Sequence, residues 1–225
     1  MSADFIWKKV WKISLVALCF FVTGVSFVYA YVLTGVEKVY LSDNFYFLVS
    51  KTVNVEVGAF ESLQNGGAGY ILEENGREYA VLSVYFTEEK ALQVQNGLAE
   101  ETLLLRKKTN DLYLKTRSDK ALANTFKNAF SCLKSCMEIL SEEIVRLDNG
   151  ATQESSKRIL RILQKQYDYL EYEYKKSFPD FAKLCERAEK ALGKIVAGTV
   201  YVKDLRYLLC ELCVSYNGLA DTFEL

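Results

Sequence analysis

The chain has 225 residues, 28 Lys+Arg against 29 Asp+Glu, and an apolar content of one half. That balance suits a folded chain and leaves no basic excess for a phosphate backbone, so no nucleic-acid partner is expected. Histidine is absent altogether, which excludes Ser-His-Asp triads, Cys-His proteases and imidazole acid–base or metal chemistry.

The first element is a membrane segment. Residues 13–33 (ISLVALCFFVTGVSFVYAYVL) carry no charge. At about 1.5 Å per residue they reach the roughly 30 Å of a bilayer core. Only Ser14, Thr23, Gly24 and Ser26 are polar or small interruptions. Trp7 and Trp11 stand at one end, and Tyr29, Tyr31 and Tyr40 at the other, where amphipathic rings prefer the headgroup zones. Lys8, Lys9 and Lys12 precede the run, against Asp4 alone. The expectation is a transmembrane helix over 13–34, a cytoplasmic tail over 1–12 and an extracytoplasmic remainder that spans no second time. A cleaved signal peptide is the alternative, since Val28-Tyr29-Ala30 fits a cleavage site. The apolar run continues past that site, which favours an uncleaved anchor.

From Leu41 the pattern changes to period two. Residues 44–50 (NFYFLVS) read as a strand. In 52–65, Val53, Val57, Phe60 and Leu63 recur at helical spacing, which predicts a short helix ended by Gly66-Gly67-Ala68-Gly69. Residues 70–74 and 77–86 are strands joined by Asn75-Gly76, a type I′ hairpin pair. Thr87 caps a helix that runs to about Leu98, with Glu88 and Glu89 in its first turn. Residues 102–107, extended by 111–115, supply a fourth strand. The order β-α-β-β-α-β predicts a ferredoxin-like antiparallel sheet with both helices on one face. Alternation places Phe45, Phe47, Val49, Ala80, Leu82, Val84 and Phe86 toward those helices. It leaves Tyr46, Leu48, Ser50, Tyr79, Val81, Ser83 and Tyr85 on an open face.

Residues about 44–107 resemble the sporulation-related repeat (SPOR) family of bacterial envelope domains. The likeness is carried by Tyr79-Ala80-Val81-Leu82-Ser83-Val84-Tyr85-Phe86-Thr87-Glu88-Glu89-Lys90-Ala91, a strand closed by an aromatic and followed by a helix packed through Ala. Tyr85 stands where the family usually has Gly. Val55-Glu56-Val57-Gly58-Ala59-Phe60 is similar to the family's first motif, but falls after the strand assigned here. The resemblance implies an extracytoplasmic domain that binds peptidoglycan glycan strands and hangs from one membrane helix. Tyrosine rings would offer flat platforms with polar tips to sugar rings, and the expected glycan-binding residues are Tyr46, Ser50, Tyr79, Ser83 and Tyr85. The same rings could instead pack beneath the C-terminal helices.

From Ser118 the period is helical. Leu122, Phe126, Ala129, Leu133, Cys136, Leu140, Ile144 and Leu147 form one stripe. Ser118 is the expected cap with Asp119 in the first turn, and Asp148-Asn149-Gly150 the stop. A second helix covers about 152–176. A third follows Pro179, and a fourth spans about 202–220. Short connections predict a bundle of about four helices over 118–225, behind an α/β domain over 41–117. Tyr167, Tyr169, Tyr172 and Tyr174 cannot all face one core.

Six cysteines occur. Cys19 lies in the apolar run. Cys132 with Cys136 and Cys210 with Cys213 are helical neighbours, and Cys185 stands apart. Buried free thiols, disulfides left with an odd member, and a four-thiolate zinc site all remain open. Thiol redox catalysis is disfavoured, because Cys210 and Cys213 sit in mid-helix with no acidifying N-terminus.

No catalytic set emerges. Glu73 and Glu74, like Glu88 and Glu89, are adjacent rather than opposed across a cleft. The Gly66–Gly69 loop lacks the Lys-Ser/Thr helix of a phosphate loop. The expectation is a non-enzymatic, cofactor-free, membrane-anchored envelope protein that binds peptidoglycan glycan in wall remodelling, division or sporulation. The alternative is a scaffold whose C-terminal helices dock another envelope protein.

Overall fold

The computed structural model describes residues 36–98, 101–115 and 120–222. The expected membrane span, the 1–12 tail, and Ser118 and Asp119 lie outside those residues. Among the described residues no helix is long and apolar enough to cross a membrane.

Among the described residues the fold is α+β, with a four-stranded antiparallel sheet, a two-stranded ribbon and six helices. The elements are β1 (Val36–Val39), β2 (Asn44–Ser50), α1 (Val55–Gln64), β3 (Tyr70–Glu74), β4 (Arg77–Tyr85), α2 (Glu88–Gly97), β5 (Thr102–Lys108) and β6 (Leu112–Lys115). Four helices follow: α3 (Lys120–Asp148), α4 (Gln153–Tyr174), α5 (Pro179–Ala197) and α6 (Val202–Asp221). The sheet order is β3-β4-β2-β5, all neighbours antiparallel, as two β-α-β units around a hairpin require. The fourth strand is shorter than its apolar run suggests. It stops at Lys108, and 112–115 pair instead with β1, which the sequence reading missed.

Local chemistry explains the punctuation. Asn54 caps α1, its Oδ1 accepting from the N–H groups of Glu56 and Val57 at 3.1 and 3.2 Å. Thr87 caps α2 by accepting from Lys90 N–H. Asn75 and Gly76 both have positive φ, 52° and 71°, the pair of left-handed conformations a type I′ turn needs. Pro179 opens α5, where its missing N–H costs nothing.

The sheet faces differ from simple alternation. Leu48 lies opposite Ser83, but Val49 lies opposite Val81. Leu82 is therefore the extra residue of a β-bulge, and the pleat reverses across it. Phe45, Phe47, Val49, Val81 and Val84 join the main core with the C-terminal helices. Tyr46, Leu48, Ala80, Leu82 and Ala91 are the smaller buried set on the α1–α2 side. Two assignments are thus corrected: Phe45, Phe47 and Val49 turn away from α1 and α2, and the opposite face is not open. The reason is the bundle, which covers that face through α6. Phe45 meets Tyr216 edge-on at 5.5 Å, and Tyr216 meets Phe130 of α3 at 5.0 Å.

α1 is also turned against expectation. Its inward residues are Gly58 and Ser62. A Cβ at Gly58 would lie 3.3 Å from Ala80 Cβ and 3.2 Å from Thr52 Cβ, so the helix rides close to β4 only because that position is bare. Ser62 Oγ donates to Val81 O and accepts from Gly69 N–H. The apolar stripe Val53, Val57, Phe60 and Leu63 faces outward.

Candidate functional site

Polar bridges tie the bundle to the sheet. Tyr216 Oη donates to Asp43 Oδ2 and Lys134 Nζ to Asp43 Oδ1, each at 2.6 Å. Asp43 is buried, so both its oxygens take a donor that water would otherwise supply. Thr109 Oγ1 donates to Asn217 Oδ1 at 2.6 Å. Arg206 ion-pairs with Asp148 at 2.6 Å and also donates to the Gly66 carbonyl. These groups join the two halves.

The five expected glycan-binding residues do not share a face. Tyr46 and Ser83 are buried. Tyr85 is half-buried beside Tyr46, its cross-strand partner. Burial raises the Tyr85 phenol above its usual range, against a lowering contribution from its hydrogen bond with Ser83. These three are packed against neighbouring chain. Ser50 and Tyr79 meet elsewhere, in a cleft of about 820 Å³ at the end of the sheet.

That cleft is where hydrogen-bonding groups converge. Its wall carries Ser50 at the end of β2, Lys51 and Thr52 after it, then Glu73 of β3, with Arg77, Glu78 and Tyr79 of β4. Val53, Val55 and Leu103 add apolar lining. Strand pairing puts Glu73 directly opposite Glu78. Like charges so placed repel, and the cations of Arg77 and Lys51 stand on the same rim. Ser50 Oγ shares a hydrogen bond with Thr52 Oγ1 at 2.8 Å and accepts from Thr52 N–H, which fixes the turn leaving β2. Donors and acceptors of both signs around an apolar patch suit an uncharged, polyhydroxylated ligand better than a strongly charged one. Lys51, Thr52, Glu73, Arg77 and Glu78 were not singled out for binding in the sequence. Their convergence depends on where β2 ends against the β3–β4 hairpin, a long-range relation.

The cysteines lie apart from this cleft. Cys132 is exposed, while Cys136, Cys185, Cys210 and Cys213 are buried, and all five are free. Burial pushes the Cys136 thiol up to about 11 and raises Cys185, Cys210 and Cys213 as well. Thiols held neutral in this way are poor nucleophiles. Among the described residues no group of three or more Cys, Asp or Glu is arranged to hold a metal ion. Of the α4 tyrosines, Tyr167 and Tyr174 are buried, and Tyr169 and Tyr172 are exposed.

Comparison with known proteins places this chain beside none of them: no family model, no curated protein and no solved structure matches it.

Proposed function

We propose that the chain is a membrane-anchored, non-enzymatic binding protein of a bacterial envelope. Its 13–33 run would span the bilayer once, and the β-α-β-β-α-β half would be a ferredoxin-like, SPOR-like module that recognises peptidoglycan glycan. The observation that carries this reading is the cleft at the end of the sheet. It gathers Ser50 and Tyr79 of the expected set and adds the hydroxyl of Thr52 and the charged groups of Lys51, Glu73, Arg77 and Glu78. Sugar hydroxyls both donate and accept, so a lining of mixed polar and apolar groups matches them.

The test is co-sedimentation of the full chain, held in mild detergent, with purified sacculi. Binding is expected, and Arg77→Ala and Tyr79→Ala should each weaken it about tenfold without altering the circular dichroism spectrum. A folded chain that stays in the supernatant sinks glycan recognition.

A second reading, a scaffold for other envelope proteins, is favoured by one observation. The outward stripe of α1, with Val57 46%, Phe60 60% and Leu63 40% exposed, adjoins Ile71 of edge strand β3, 45% exposed. Tyr169 and Tyr172 on α4 give the helical half its own exposed rings. Loss of sacculus binding with retained capture of a membrane-protein partner would support this reading over the first.

A further inference from the structure

We infer that the pole of the molecule built from the start of β1, the start of α3 and the α4–α5 loop rests on the headgroup layer of the membrane, with the cleft at the opposite pole. The inference rests on the proposed reading that residues 13–33 span the bilayer. Only Thr34 and Gly35 separate that run from β1. The three Cα steps from Leu33 to Val36 reach at most about 11 Å. There is no further slack, because β1 is fixed at its first residue. Val36 pairs with Lys115, and the register continues to Val39 opposite Leu112. Val39 is buried in the main core.

Contacts place the two poles. Lys115 precedes the first residue of α3, Lys120, by five positions, and Asp43 beyond β1 is bonded to Lys134 in the middle of α3. β1 therefore runs from the start of α3 toward its centre. The α4–α5 loop is at the same end, since Phe178 lines one apolar cavity with Phe126 and Phe130. Tyr172 in the last turn of α4 is 81% exposed, and Lys176 in the loop is exposed. Amphipathic rings and lysines are the groups that a headgroup layer accepts.

The far end of α3 is Asp148, which holds Arg206, and Arg206 holds Gly66. The next residue, Tyr207, packs on Tyr70 at 5.3 Å. Tyr70 is in register with Val81, and Val81 with Val49. Ser50, Glu73 and Arg77 lie beyond that line. The 29 residues of α3 span about 43 Å, so the cleft is held on the order of 40 Å from the bilayer.

The experiment is tryptophan quenching in the full chain, reconstituted in vesicles whose lipids carry a spin label on the headgroup. Trp7 and Trp11 are replaced by Phe, and Lys176→Trp or Val53→Trp is introduced. Quenching at position 176 is expected to exceed that at position 53 at least fivefold. A twenty-residue Gly/Ser insert between Thr34 and Gly35 should abolish the difference. Equal quenching at the two positions without the insert, in protein that floats with the vesicles, overturns the inference. Protein that does not float with vesicles overturns the membrane reading itself, and the two failures are told apart by the flotation step.

Discussion

Two buried tyrosines of the bundle show how a single hydroxyl changes sign with its partner. Tyr216 Oη has a carboxylate to donate to, Asp43, at 2.6 Å. Tyr167 Oη is fully buried and has no hydrogen-bond partner among the described residues. Burial raises both phenols, Tyr167 further affected by the thiols of Cys136, Cys185 and Cys213. Tyr216→Phe should cost about 2 kcal/mol, because Asp43 keeps only Lys134 as donor. Tyr167→Phe should gain about 1 kcal/mol by removing a buried, unmet donor. Urea midpoints for the two variants would move in opposite directions, and a loss in both would remove this account. The same groups set an alkaline limit. In the unfolded chain the thiols lose their protons near 9.0 and the phenols near 10.0, whereas in the fold their values are raised. Above about pH 8 the folded state therefore binds more protons than the unfolded one, and stability falls as pH rises. Thermal midpoints should be flat from pH 6 to 8 and drop steadily from pH 8 to 11, with Cys136 itself ionising only at about 11.

At the scale of elements, α1 is an inverted helix whose inward face is chosen by size rather than by apolarity. Gly58→Val should cost about 3 kcal/mol, since the added side chain must displace Thr52 or Ala80 across gaps of 3.2 and 3.3 Å. Phe60→Ser should change the unfolding free energy by less than about 0.5 kcal/mol, because the ring is 60% exposed. If Phe60→Ser proves the costlier substitution, α1 is seated the other way round. The sequence made this element legible as a helix but not its orientation. The spacing of Val53, Val57, Phe60 and Leu63 is a sound helical signal, and nothing local says that the stripe stays in solvent. β4 is a parallel case. Its strand character was plain, and so was the Asn75-Gly76 turn. The bulge at Leu82 was not, because it arises from pairing with β2, 33 residues earlier along the chain. Once Leu82 is extra, every face assignment beyond it reverses. That is why Tyr79 does not share a face with Ser83 and Tyr85, while Tyr46 and Ser83 are buried on the α1–α2 side. The helices α3 to α6 were the most legible part, since stripes such as Leu133, Cys136 and Leu140 repeat over many turns and average out single exceptions.

For the whole molecule the question is whether the sheet half could stand alone. Phe45, Phe47, Val49, Val81 and Val84 belong to the same core as Phe130, Leu209, Cys213 and Tyr216. Phe45 and Phe47 have no exposed surface at all. Removing 118–225 would open that face to water. Five such side chains contribute together about 10 kcal/mol when buried, which is comparable to the entire stability of an ordinary domain. The polar bridges would be lost as well: Asp43 would lose both Tyr216 and Lys134, and Thr109 would lose Asn217. A fragment of 41–117 should therefore be unfolded or aggregated, with narrow amide dispersion in its NMR spectrum. Residues 36–222 should give a dispersed spectrum and one cooperative thermal transition, because a shared core cannot melt in parts. A well-dispersed spectrum from 41–117 alone would mean that the sheet carries its own stability. The bundle would then be an added cover on a self-sufficient module, rather than the second wall of its core.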